Sequence, residues 1–259
     1  MQHGRPLPVV CSAAIVAATL VVAPARADRR ILGYTYPYMT LPEGGFEFEH
    51  YLDATWKKAD DPSTQDIESQ WRPAWRHQFE FEHGITDRLD FGFYNVFAQK
   101  PFEGLSYEGV KLRSRYRFGD PNDLPIDVGV YVETFYFNDE AGFEQRLILS
   151  KTVARFETHF NLKAEEEWEL HSPEGEMEFV LNPTGGFGYH VMDSVALGAE
   201  YFGRVALEEE KWTRFAHYAG PAVSFMGQHF WWTLTFQPQI TSGTGRPDYQ
   251  ARSLFAIML

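Results

Sequence analysis

From Phe46 to the last residue the chain alternates apolar and polar positions with a period of two, broken at intervals by runs rich in glycine, proline, aspartate and asparagine. A period of two sends successive side chains to opposite faces of a β-strand, so each unbroken run reads as a strand with two unlike faces. Val110 to Phe118 is the clearest. Val110, Leu112, Ser114, Tyr116 and Phe118 share one face, and Lys111, Arg113, Arg115 and Arg117 share the other. The same pattern predicts strands over 46–56, 71–83, 89–98, 110–118, 126–136, 143–151, 155–165, 177–189, 195–205, 215–225, 230–240 and 249–259, twelve in all. In the first, Phe46, Phe48, Leu52, Ala54 and Trp56 oppose Glu47, Glu49, Tyr51 and Asp53; its opening Phe-Glu-Phe-Glu-His recurs at 79–83, where Arg76, Gln78, Glu80 and Glu82 form the polar face. In the fifth, Asp127, Tyr131 and Glu133 oppose a valine-rich face. Longer and shorter connections alternate, with a tight turn expected over 84–88.

Two architectures accept such strands. A soluble sandwich turns the apolar faces inward, whereas a transmembrane barrel turns them to lipid and the polar faces to its lumen. The ends of the strands favour the barrel. Trp56, Trp71, Trp168 and Trp212 fall where strands meet the longer connections, and Trp232 follows a short turn at the other rim, which is where an interfacial aromatic girdle belongs. Alternation also runs through Tyr249, Ala251, Ser253, Phe255 and Ile257 to Leu259. The predicted fold is therefore all-β: a closed antiparallel transmembrane β-barrel of about twelve strands, an up-and-down meander over 45–259 with both termini periplasmic. Residues 28–44, with Gly33, Pro37, Pro42 and Gly44 among aromatics, read as an irregular periplasmic lead-in.

The first residues fit export. Arg5 precedes an apolar run from Val9 to Val22, and Ala25-Arg-Ala27 supplies small cleavage positions, so residues 1–27 read as a secretory signal peptide cleaved after Ala27. The single cysteine, Cys11, lies inside it, which removes disulfides and thiol chemistry from the mature chain. The formal charge is −13; without Arg5 and Arg26 it becomes −15, with 21 basic against 36 acidic residues. Nucleic acid is not a partner for such a surface.

The signal peptide, the turn and strand Gly84-Ile-Thr-Asp-Arg-Leu-Asp-Phe-Gly92, the strand His217-Tyr-Ala-Gly-Pro-Ala-Val-Ser224 and the strand at the C-terminus resemble a family of Gram-negative outer-membrane β-barrels. The chain is similar to the phenol-degradation meta-pathway outer-membrane proteins, a group regarded as transporters. The resemblance implies a bacterial outer-membrane address, contact with lipid and lipopolysaccharide, and recognition of the C-terminal strand by the barrel-assembly machinery. It carries over no site residues.

Candidate chemistry lies in the lumen. Lys111, Arg113, Arg115, Arg117 and Arg76 would line it with cations, and Glu47, Glu49, Glu80, Glu82, Asp127 and Glu133 with carboxylates. Opposed walls of this kind orient polar solutes in a water-filled pore, the expectation for a passive channel for small solutes. The alternative is that the charges pair and fill the interior, giving a non-conducting structural barrel. Catalysis is not expected: His159 faces inward, His50 and His83 lie on the apolar register, and no Gly-x-Ser-x-Gly occurs. No cofactor or metal is assigned, because consecutive acids such as Glu165 to Glu167 and Glu208 to Glu210 alternate faces and cannot converge.

Overall fold

A computed structural model describes residues 29–57, 72–171, 177–208 and 211–259. The export segment and its cleavage position lie outside the described residues, as does Trp71. Twelve strands form: β1 Phe46–Trp56, β2 Ala74–Thr86, β3 Leu89–Gln99, β4 Ser106–Phe118, β5 Asp127–Phe137, β6 Glu140–Val153, β7 Phe156–Glu169, β8 Met177–Met192, β9 Val195–Glu208, β10 Lys211–Met226, β11 Phe230–Pro238 and β12 Tyr249–Met258. Each pairs antiparallel with its sequence neighbours, and β12 returns to β1 in the register Glu47 to Met258 through Trp56 to Tyr249. The sheet is closed, so neither end strand offers an unpaired edge.

Burial along each strand is that of a globular protein turned inside out. Leu112, Tyr116 and Phe118 are exposed, whereas Arg113, Arg115 and Arg117 are buried. Phe81, Val130, Val132, Leu147, Phe160, Leu162 and Phe187 are exposed on neighbouring strands, forming an apolar outer band. Water would penalise such a band heavily; hydrocarbon would not. Strand edges depart from the sequence reading at the turns. Gly84 and Ile85, expected in a turn, continue β2, because a register shift between Gly84 and Thr86 carries the ladder on to Leu89. The alternation of connections is also imperfect: β5 and β6 are joined through Asn138 and Asp139 alone, while β4 and β5 are separated by residues 119–126.

Residues 29–45 form no strand, and as far as Pro42 they lie inside the barrel. Arg30, Ile31, Leu32, Thr35, Tyr36, Tyr38 and Leu41 are buried. The segment starts at the rim that carries the β10–β11 turn, where Arg29 donates to the carbonyl of Gly227 at 2.9 Å. It rises into the lumen, crosses it, and comes back to the same rim at Gly44, whose amide donates to the carbonyl of Gly84 at 2.9 Å. Among the described residues, its backbone bonds to wall backbone are confined to Gly44 and Gly45.

Candidate functional site

Buried amides need acceptors, and a segment without a ladder must find them elsewhere. Here the wall supplies them as side chains. The Glu200 carboxylate on β9 accepts from the amides of Gly33, Tyr34 and Thr35 at 3.0, 2.8 and 2.6 Å. Asn161 on β7 accepts from the Tyr36 amide at 2.7 Å and donates back to its carbonyl at 2.9 Å. Ser150 on β6 accepts from the Tyr38 amide at 3.2 Å, and Asp90 on β3 from that of Leu41 at 3.1 Å. On β10 and β11 the hydroxyls of Ser224 and Thr233 both donate to the Arg30 carbonyl. Apolar contact adds to this, since Ile31 and Leu32 sit where Cβ atoms at Gly188 and Gly186 would fall 2.2 and 2.8 Å from them. Burying two such side chains is worth about 1.5–3 kcal/mol each.

The charged residues expected in the lumen fall into two groups. Towards the rim with the chain ends, Arg113 on β4 reaches Glu80 at 2.7 Å, Glu82 at 2.5 Å and Asp90, and Arg115 reaches Glu82 at 3.0 Å and Asp90 at 2.7 Å. These strands are not neighbours; β3 lies between β2 and β4, and its Gly92 faces both Glu82 and Arg113 in the register. With no side chain at Gly92, the acids of β2 and the arginines of β4 meet across it. Glu47 accepts from Trp231 at 3.2 Å, Glu49 lies 3.9 Å from Arg30, and Arg117 donates to Thr40, to the carbonyls of Asp87 and Gly119, and to Asp120. Asp127 accepts from the amide of Asn122 at 2.8 Å. Oxygens of Glu47, Glu49 and Glu82 approach within 4.8 Å of one another, but Arg113 and Arg115 already stand on Glu82 as a cation would.

The second group rings the barrel nearer the other rim. Lys111 pairs with Glu133 at 2.9 Å, Arg146 with Glu144 at 2.6 Å, Lys163 with Glu165 at 2.6 Å, and Arg252 with Asp53 at 2.6 and 2.9 Å. Arg76 meets Glu108 at 2.8 Å and is 40% exposed. Between these pairs and the tip of the inner segment is a cavity of about 110 Å³ faced by Tyr34, Tyr36, Tyr51, Tyr94 and Tyr131. A wider one of about 540 Å³ lies beyond it, with Tyr34, Phe202 and Arg252 common to both. The guanidiniums of Arg30 and Arg146 both stand over the Tyr36 ring, 3.7 and 4.3 Å from its centre. Tyr34 lies between Phe202, at 5.4 Å, and Arg252, at 4.3 Å.

The histidines have other partners. His159 bonds Ser150 through Nδ1 at 2.8 Å and Glu157 through Nε2 at 3.3 Å. Ser150 bridges the Tyr38 amide and His159, and His159 bridges Ser150 and Glu157. The three groups thus anchor the inner segment. His50 meets His77 at 3.1 Å on the outer wall, and His83 bonds the carbonyl of Gly45 at 3.0 Å. Of the tryptophans at the rims, Trp56 stacks on Tyr249 at 5.6 Å, while Trp168 and Trp232 are 38% and 39% exposed. The side chain of Trp212 lies outside the described residues.

Residues 113–254 match the model of a family of unknown function, DUF6662. The chain belongs to this family. No curated protein matches it in sequence. Among solved structures it is similar to the COG4313 outer membrane channel from Pseudomonas putida F1, with 10% identity, 86% of this chain and 98% of that one covered, and a TM-score of 0.57. The NanC porin follows with 11% identity, 81% and 100% coverage and a TM-score of 0.55. The KdgM porin has 10% identity, 82% and 98% coverage and a TM-score of 0.52. At these identities the likeness is one of fold, and the fold is that of bacterial outer-membrane barrels.

The sequence puts Asn161 and Lys163 on the polar face of the seventh strand without giving them a role, and it singles out none of Asp90, Glu200, Arg146 and Arg252. All lie on the inward parity of their strands, so parity places the last four as it places Asn161 and Lys163. What it could not supply was a reason to prefer them, since the segment they hold has no period of its own.

Proposed function

We propose that this family member is an outer-membrane solute channel closed from within by its own N-terminal segment. The observation that carries the reading is the mode of attachment of residues 33–41, which borrow side chains from β3, β6, β7 and β9 and join no sheet. A segment held this way leaves without unzipping a strand, and its exit would open the lumen from the wider cavity to the opposite rim. Passage would be passive and confined to small solutes. Residues 1–27 would act as the export signal, removed after Ala27, and the rim with the chain ends would face the periplasm. Trp56, Trp168 and Trp232 would sit at the lipid interfaces, with lipopolysaccharide around the rim of longer connections. The assembly machinery would read β12. Kinship with the phenol-degradation proteins belongs to the same reading and rests on the turn and strand motifs.

A second reading has its own support. Full burial of Leu32 and near-full burial of Ile31 favour a permanent plug in a structural barrel. Planar-bilayer recording of the mature chain and of a variant lacking residues 29–42 separates the two. The channel reading expects a mature protein that is closed most of the time and a shortened one, still heat-modifiable on gels, that opens in discrete steps. A folded shortened variant without conductance would leave the structural reading standing. Equal conductance from both would show that the segment closes nothing.

A further inference from the structure

The wider cavity has a charge at odds with the chain. The whole protein carries −13, yet the charged residues facing this space are Arg76, Lys100, Arg204, Arg246 and Arg252 against Asp53 and Glu108. Both acids are already engaged, Asp53 by Arg252 at 2.6 Å and Glu108 by Arg76 at 2.8 Å. Arg204 is less well matched. It reaches Glu178 only at 3.3 Å and Glu167 at 3.9 Å, it shares Glu178 with Arg246, and its buried Nε has no acceptor. A guanidinium binds best through two parallel N–H groups to a planar pair of oxygens; Nη2 of Arg204 holds Glu178 only at 3.3 Å, so a solute carboxylate that displaces this long contact meets Nη2 and the unmatched Nε side by side. Trp75, Phe202, Tyr34 and Tyr218 add ring surface beside it. A volume of about 540 Å³ falls within the range of small-molecule sites.

We infer that this vestibule is a binding site for small carboxylate-bearing solutes, with Arg204 as the residue that takes the carboxylate. The inference deepens the channel reading by naming the class of solute at its mouth. Because Tyr34 belongs to both the cavity floor and the inner segment, a bound solute would rest directly on the closed segment.

Glucuronate and glucose make a suitable pair of probes, since they differ by a carboxylate in place of a hydroxymethyl group. Titration of the full mature chain in detergent, followed by calorimetry or tryptophan fluorescence, should give saturable binding of glucuronate and weaker binding of glucose. Arg204→Gln should weaken glucuronate by about ten-fold or more, the worth of one charge-assisted hydrogen bond. Arg204→Lys, which keeps the charge and loses the fork, should fall between. Arg155→Gln, at the opposite rim beside Asp193, should bind as the parent does. Equal affinity for the two sugars, an unchanged Arg204→Gln protein, or the absence of saturation would each overturn the inference. Binding is read here without a bilayer, so saturable binding by a barrel that never conducts would refute passage and leave the site intact.

Discussion

Replacing Gly92 by alanine tests the central claim that the interior is built by charges meeting across an empty position. A Cβ there would stand 2.3 Å from Glu80 Oε1 and 2.7 Å from Arg113 Nε, atoms that are themselves bonded at 2.7 Å. Either end could yield if it were free, but Glu80 also accepts from Tyr51 at 2.8 Å, and Arg113 is held by Glu82 and Asp90. The methyl group must therefore part a buried ion pair. Breaking such a pair costs about 3–5 kcal/mol, against about 0.5 kcal/mol for a neutral surface change. Gly104→Ala is the control, since nothing lies within 4 Å of its Cβ. Reversible denaturant unfolding in phospholipid vesicles, followed by tryptophan fluorescence, gives the difference. In an Glu80→Ala background the same substitution should cost distinctly less, because one clashing atom is gone. A loss below about 1 kcal/mol in the parent, or no coupling to Glu80, would refute the reasoning.

Other consequences are open to measurement. Leu162→Arg, on the outer face midway along β7, should destabilise the barrel by about 2–4 kcal/mol in vesicles; a negligible cost would argue against lipid on that face. Glu200→Ala removes the acceptor of three amides, so hydrogen exchange at Gly33, Tyr34 and Thr35 should accelerate far more than exchange in β9 itself. Asn161→Ala should release Tyr36 in the same assay while leaving Gly33 protected, which separates local loosening from loss of the whole segment. At the β4–β5 turn, the hydrogen bond from Arg117 holds the Asp120 carboxyl below the usual carboxylate range. Any stability drawn from this contact is present above the unfolded-state pKa and fades as pH falls through the folded one. Arg117→Ala should raise the Asp120 titration in a carboxyl-labelled NMR sample.

Legibility in the sequence followed periodicity. Val110 to Phe118 announced both its faces, and β1, β3 and β12 began where alternation began. The barrel could be read because each strand repeats the same inward and outward choice, which adds many weak signals together. Pairing inside it was harder. Arg113 had an evident need for carboxylates, but its link to Glu80 depends on Gly92, a residue without a side chain, and on Asp90, which looked like part of a turn motif. The segment 29–45 was the least legible. Its residues face the interior through both parities, Ile31 and Leu32 being buried side by side, so no period could announce a location set by side chains far along the chain.

That distance orders events during assembly. The amides of residues 33–35 are made early, yet the carboxylate that satisfies them belongs to a residue 165 to 167 positions later. Its companions sit on β3, β6 and β7, so the full set of acceptors exists only once the wall that carries them has formed. Until then the segment lacks part of its set of acceptors, and its amides are left to water. Complete docking of the segment therefore depends on contacts distant in sequence, which close late in folding.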